Sequence, residues 1–387
     1  MPYLEEGNMV APRHTAHLLF AAALLTGLHS AQAENGLTAK SVLIGQSAEL
    51  SGQSGLREGT AGAEAYFAYV NKRGGVHGRS IRLQSYDDAR DPKKTIANTL
   101  KLINEDKVFA LFGYRSTPTV EAVLPVVTES RVPLIAPLSG AQSIREPFNK
   151  LVFHLRASYH AETGKIIEQL ATVGVRKIAI LYQDDPFGKD GLSGFEKHLR
   201  DHRIEAVAKA KYDRKDLNVD EAVKVIGGAT PEAVVMACSQ KACVDFIKKM
   251  KKAGLSPQFF TLSNATSDEF TRSLGNEGRG VVMSQVMPYP WGSGLPLQKE
   301  FNLAIAETAP AVPVSYTSFE GFVAAKLLVE GLRRAGPNPT RQKFMAALEG
   351  MSNVDLGGLS VGFSPTQHAG STFVELTMIG SNGKIVR

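Results

Sequence analysis

The chain has 387 residues, 43% of them hydrophobic and 21% charged, with a formal net charge of +6 at pH 7. That balance indicates a globular protein long enough for two lobes of ordinary domain size, and no segment beyond the N-terminal apolar run is hydrophobic enough to span a bilayer. Lysine and arginine are scattered among acids; the densest run, KKMKK at 248–252, reads as a solvated helix face and argues against a nucleic-acid-binding protein.

The first element in chain order is not part of the fold. From Met9, Arg13 supplies a positive charge, LLFAAALLTGL at 18–28 an apolar core, and Ala31-Gln32-Ala33 an A-x-A site. This pattern predicts a secretory signal (1–33) cleaved after Ala33, which leaves Glu34 first and directs a soluble chain to the periplasm. A membrane anchor needs about 20 apolar residues, more than this run supplies. Residues 1–8, with Glu5 and Glu6, suit a signal poorly, so Met1 and Met9 both stay open as the start. No cysteine stands at the cleavage point, and no lipid anchor is expected.

Strand and helix signals then alternate. SVLIGQS at 41–47 precedes a helix carrying Ala63, Phe67 and Val70; IRLQSYD at 81–87 precedes one carrying Ile96, Leu100 and Ile103. VFALFG at 108–113 leads through Ser116, Thr117 and Pro118 into a helix with Val120, Leu124 and Val127, and VPLIAP at 132–137 closes the set. The pattern resumes with KIAILY at 177–182, a helix with Leu192, Phe195 and Leu199, a weak strand near 205–212, AVVMA at 233–237, and a helix with Val244, Ile247 and Met250. QFFTL at 258–262 and GVVMSQV at 280–286 follow. Short apolar strands separated by amphipathic helices predict parallel sheets covered on both faces, and two such runs predict two similar α/β lobes. MPYPWGSGLP at 287–296 reads as a crossing or linker, a long helix carries Phe322, Ala325, Val329 and Leu332, and TFVELTMI at 372–379 alternates as a strand. Periodicity does not assign these last elements to either lobe.

Catalytic and metal chemistry leave little trace. GxxxxGK[ST], HExxH and paired CxxC motifs are absent. GLSVG at 358–362 matches G-x-S-x-G, but too little chain follows it for the other members of a hydrolase triad. GGVHG at 74–78 follows a helix rather than a strand, so it is a turn and not a phosphate loop. Cys238 and Cys243 could pair in an oxidising compartment; the sequence does not supply the geometry, and both states stay open. As a C-x4-C pair without further Cys or nearby His they make a poor zinc site. Binding without catalysis, and without cofactor or metal, is expected.

Six segments, IGQSAELSG, FAYVNKRGGVHGRSIRLQSYDDARDPKKTIANTLKLI, FGYRSTPT, VPLIAP, LYQDDPFGKDG and FEGFVAAKLLVEGLRRAG, stand in the order and spacing of a known family. The chain, from Ser41 to its C-terminus, resembles the periplasmic leucine/isoleucine/valine-type solute-binding proteins of ABC transporters. The resemblance implies a type I periplasmic binding fold: two doubly wound parallel-sheet lobes joined by three crossings, with ligand in the cleft between. The crossings are implied near Arg156, at 285–291 and near His368, which gives lobe 1 as 34–156 plus 285–368 and lobe 2 as 157–284 plus 369–387. It also implies a membrane permease as partner, with a ligand-sensing domain serving a separate signalling partner as the alternative.

Ligands of open parallel sheets sit beyond the carboxyl ends of the strands. Ser116 and Thr117 lie there after one strand, and Leu138, Ser139 and Gly140 after the next. Two adjacent helix starts at these turns are expected to cup a carboxylate with their free N–H groups. In the family the matching positions hold the ligand's carboxylate, which carries Ser116, Ser139 and Gly140 over to this chain. Phe187 matches an aromatic that closes over the ligand from the other lobe, and Asp184 and Asp185 are turn-formers or partners for a cation. Some positions depart from the family. Where amino-acid binders place an acid for the α-ammonium group, this chain has Ser263 beside Asn264; where an aromatic follows the first strand, it has residues 55–57 ending in Arg57; two family cysteines align with Arg90 and Arg115. Loss of an acid and gain of arginine favour a more anionic ligand than a neutral amino acid, so a small organic acid stands beside an amino acid as the expected cargo. Glu320 would restore the amino-acid reading if it faced the cleft.

Overall fold

The computed structural model describes residues 34–51 and 54–387, with residues 54–56 described by backbone alone, so the expected signal segment and its cleavage point lie outside the described residues. Strands β1 (Ser41–Ala48), β2 (Ser80–Asp87), β3 (Ala110–Phe112), β4 (Leu134–Ile135) and β5 (Val152–Phe153) form a parallel sheet in the order β2-β1-β3-β4-β5. Helices α1 (Ser54–Lys72), α2 (Pro92–Asn104) and α3 (Thr117–Ser130) connect its strands. α2 starts where the Asp91 carboxylate accepts the Lys93 N–H and Pro92 needs no N–H partner. Its buried face is Thr95, Thr99 and Leu102, whereas Leu100, part of the apolar stripe expected from the sequence, is exposed. The Thr99 hydroxyl is shared with the Tyr114 hydroxyl at 3.0 Å and that of Thr95 reaches Asp88, so buried polar contacts set the helix rotation.

The second sheet begins after α4 (Tyr159–Thr172), with β6 (Ile178–Gln183), α5 (Pro186–Asp201), β7 (Ala206–Tyr212), α6 (Asp220–Gly228), β8 (Ala233–Ala237), α7 (Gln240–Lys252), β9 (Gln258–Thr261), α8 (Asp268–Leu274) and β10 (Val282–Gln285). Every residue of β8 is buried, as a central strand with helices on both faces requires. Helices α9 (Pro296–Thr308), α10 (Tyr316–Arg334) and α11 (Arg341–Glu349) return to the first lobe, followed by a short hairpin of β11 (Val354–Asp355) and β12 (Ser360–Val361). α10 lies directly on α1: a Cβ at Gly62 would sit 1.9 Å from the Ser318 carbonyl, and one at Gly321 1.8 Å from that of Gly59, so only glycine permits this backbone approach.

β13 (Glu375–Ile379) then runs antiparallel to β10 and to β14 (Ile385–Val386), completing a sheet in the order β14-β13-β10-β9-β8-β6-β7. The chain therefore crosses between lobes after β5, after β10 and before β13. The first and third crossings run side by side: the His154 N–H donates to the His368 carbonyl at 2.8 Å and the Gly370 N–H to the His154 carbonyl at 2.7 Å. Cys238, just beyond β8, and Cys243, in the first turn of α7, are joined as a disulfide with their Cα atoms 5.7 Å apart, which resolves the alternative the sequence left open.

Candidate functional site

The loops at the carboxyl ends of both sheets converge on a cavity of about 310 Å³. Glu49 follows β1, Arg90 follows β2, Arg115, Ser116 and Thr117 follow β3, and Leu138 follows β4. From the second lobe Phe187 follows β6, Arg214 follows β7, Ser239, Gln240 and Lys241 follow β8, and Asn264 follows β9. Arg156 and Tyr159, on the first crossing, form the floor. The convergence is what two open parallel sheets produce when their carboxyl ends face each other.

The turn after β3 is held in an unusual shape. Ser116 has φ 82° and ψ 133°, a region that L-residues rarely occupy. It is the N-cap of α3, yet its hydroxyl makes no cap hydrogen bond, which leaves the first N–H groups of α3 unclaimed by it. The Thr119 hydroxyl instead secures the turn from behind by donating to the Arg115 and Ser116 carbonyls. Arg115 is half-buried and its side chain makes no hydrogen bond or ion pair among the described residues; burial lowers its pKa, partly opposed by the Glu320 charge.

The expectation of a second helix start at Ser139 requires correction. Only a single 3₁₀ turn, Gln142–Ile144, follows β4, too short to carry a useful dipole, and the Gln142 N–H already donates at 2.7 Å to Asp190 of the opposite lobe. Ser139 and Gly140 lie behind the cavity wall. The Ser139 hydroxyl bonds that of Thr117 at 2.8 Å and so ties the two turns together; the Gly140 carbonyl accepts the Tyr159 N–H at 2.8 Å. A side chain at Gly140 would strike Tyr159.

Ser263 is likewise one layer back, inside a buried network. The Arg156 guanidinium contacts Ser263 Oγ, Glu162 at 3.4 Å and Glu320 at 3.6 Å; Glu162 also accepts from the Ser263 N–H and from the Ser284 hydroxyl at 2.8 and 2.6 Å. Burial works against the Arg156 charge, but Glu320 and Glu162 outweigh it and raise its pKa. Arg156 thus sets its own cation beside Ser263 and faces Glu320. Arg57 is exposed on α1 and does not line the cavity. Phe187 does, packed edge-on against Tyr159 with ring centroids 5.1 Å apart. Asp184 is ion-paired to Lys189 and Lys211, while Asp185 caps α5 through the Gly188 N–H and lies 3.9 Å from Arg214.

Arg214, Lys241, Ser239 and Glu49 also line the cavity and are not among the residues expected from the sequence. Each follows a strand by a few positions, and Ser239 repeats the strand, hydroxyl, helix signature of Ser116. The charged lining among the described residues is Arg90, Arg115, Arg156, Arg214 and Lys241 against one carboxylate, Glu49, whose pKa burial raises.

A family described as periplasmic binding protein matches residues 41–384. The chain is 22% identical, over 71% of its length and 73% of the relative's, to a leucine-, isoleucine-, valine-, threonine- and alanine-binding protein of Pseudomonas aeruginosa. A substrate-binding periplasmic protein of Ralstonia solanacearum superposes with a TM-score of 0.84 at 35% identity, covering 89% of this chain and 99% of that one. A possible leucine/isoleucine/valine-binding protein of Rhodopirellula baltica SH 1 gives 0.83 at 27% identity, covering 90% and 97%. With a match across nearly all described elements and the interlobe cavity in place, the chain belongs to the periplasmic binding protein family and has its two-lobed type I fold.

Proposed function

We propose that this chain is the exported solute-binding component of an ABC importer, which captures a small carboxylate-bearing ligand between its lobes and delivers it to a membrane permease. The observation that carries this is the pairing, on one cavity wall, of the uncapped start of α3 at Ser116 with the unpaired guanidinium of Arg115. Free N–H groups at a helix start and a cation without a counterion suit a carboxylate, since each group's desolvation is compensated only when an anion arrives. Relatives named for binding leucine, isoleucine and valine support the carboxylate, because every amino acid has one. Ligand contacts on both walls exist only when the lobes are together, so capture stabilises the closed form that a permease reads.

A thermal-shift screen of amino acids and organic acids tests the reading. A true ligand at 100 times its dissociation constant stabilises the native state by about 2.7 kcal/mol. Carboxylates of either class are expected to raise the melting temperature, and neutral amides of the same skeletons are not. Stabilisation by amides and carboxylates alike would remove the carboxylate from the recognition chemistry.

A further inference from the structure

The basic groups of the cavity are divided between its walls. Arg115 stands with the start of α3 on the first lobe; Arg214 and Lys241 stand with the start of α7 on the second. α7 matches α3 in one respect: its N-cap Ser239 makes no side-chain cap hydrogen bond, while the N-cap side chains of α4, α5, α8 and α10 all do. The disulfide encloses Ser239, Gln240 and Lys241 in its short loop and pins this start against the sheet.

We propose that the cargo is a dianion, a short-chain dicarboxylate without an ammonium group, with one carboxylate at Arg115 and Ser116 and the other at Arg214 and Lys241. This rests on the carboxylate-binding function proposed above and narrows its ligand class. Each carboxylate at or behind the cavity already faces an arginine, although Glu49 Oε2 and Glu320 Oε1 accept no hydrogen bond. Glu49 lies 3.7 Å from Arg90, Glu162 is taken up by Arg156, Ser263 and Ser284, and Glu320 faces Arg156. Anion-seeking groups remain in surplus. Arg115 and Lys241 have no ion-pair partner among the described residues. Asp185, the carboxylate nearest Arg214, also caps α5 and accepts from Gln183. On the floor the Nε of Arg156, a side chain only 4% exposed, has no hydrogen-bond partner. Arg156 as a whole is balanced by Glu162 and Glu320, so the surplus is that of Arg115 and Lys241, unpaired cations at open helix starts on opposite walls, which one monoanion does not satisfy.

The geometry of closure agrees with this division. Arg214 donates at 2.8 Å to the Arg90 carbonyl, across the mouth from the second lobe to the first. A ligand with one carboxylate at Arg115 and the other at Arg214 and Lys241 touches both lobes at once, which couples its second charge to closure. Between the two basic ends Leu138, Phe187 and Tyr159 offer surface suited to a carbon spacer.

Calorimetric titration of the purified protein with malonate, succinate, glutarate and adipate, beside monocarboxylates of equal chain length, leucine, valine, glutamate and inorganic phosphate, tests the assignment. At least one dicarboxylate is expected to bind ~10-fold or more tightly than its monocarboxylate counterpart, the scale of one charge-assisted hydrogen bond, and glutarate more tightly than glutamate. In a Lys241→Gln, Arg214→Gln double variant that preference is expected to collapse toward unity. Monocarboxylates, leucine or valine binding as tightly as every dicarboxylate, or glutamate matching glutarate, would overturn the dicarboxylate while leaving the carboxylate function standing. Phosphate binding in place of all carboxylates, or no binding by any carboxylate, would overturn both.

Discussion

Ser116 concentrates the conflict between stability and function in one residue. Its backbone occupies a conformation that costs roughly 1–3 kcal/mol for a residue with a Cβ, and its hydroxyl is withheld from the helix it precedes. Ser116→Gly is expected to stabilise the fold by about 1 kcal/mol and weaken carboxylate binding about 10-fold or more. Ser116→Ala keeps the strain, leaves stability nearly unchanged and weakens binding by roughly 1.5–3 kcal/mol. Urea denaturation and titration of both variants check this; a stability loss near 1 kcal/mol in Ser116→Ala with unaltered affinity would make the serine an ordinary cap. Asp190 makes a pH-dependent case. Burial pushes its carboxyl up to about 6 from an ordinary 3.8, opposed by the Gln142 N–H. The native state then holds a proton that the unfolded chain has released, so stability falls as pH rises from about 4 to 6, by on the order of 2–3 kcal/mol. Asp190→Asn retains an oxygen for Gln142 and is expected to flatten that fall; equal slopes in the two proteins would show that Asp190 titrates normally.

Among the elements, the first crossing and α4 carry a buried charge network. Arg156 and Glu162 are both almost fully buried, and their network reaches β10 through Ser284 and α10 through Glu320, so it joins two crossings to both lobes. Removing one member leaves the other charge uncompensated: Glu162→Ala is expected to cost about 3–5 kcal/mol in chemical denaturation, and a loss below about 1 kcal/mol would mean that Glu320 alone sustains Arg156. None of this was legible in the sequence, because a lone Arg and a lone Glu at 156 and 162 acquire meaning only through Ser263 and Ser284, far along the chain. What was legible followed from burial pattern. β6 and β8 announced themselves as apolar runs because helices cover both their faces, α3 through the hydroxyl residues at its start, and α5 and α7 through apolar residues at helical spacing. β5, with only Val152 and Phe153 in the ladder, is too short to register by alternation. The helix expected after Ser139 failed for a different reason: the strand signal of β4 was real, but the chain there is held by Asp190 from the other lobe, a tertiary contact that replaces a helix start.

At the scale of the whole molecule, two runs of alternating strands and helices predict the two lobes and Arg115 already points to an anionic ligand, whereas Arg214 and Lys241 join it only where nine loops come to one place. Arg90 and Arg214, distant in sequence, meet across the mouth, where Arg214 donates to the Arg90 carbonyl and each guanidinium faces a carboxylate of its own lobe, Glu49 and Asp185. The free protein is expected to populate open forms that a bound anion draws shut, by hinge motion in which each lobe keeps its own core. Small-angle scattering of the purified protein, first stripped of bound small molecules and then titrated with the carboxylate that stabilises it most, tests this directly. A fall in the radius of gyration that saturates with binding is the predicted result. Profiles that superpose at every ligand concentration, while calorimetry reports full occupancy, would contradict capture by closure of the two lobes.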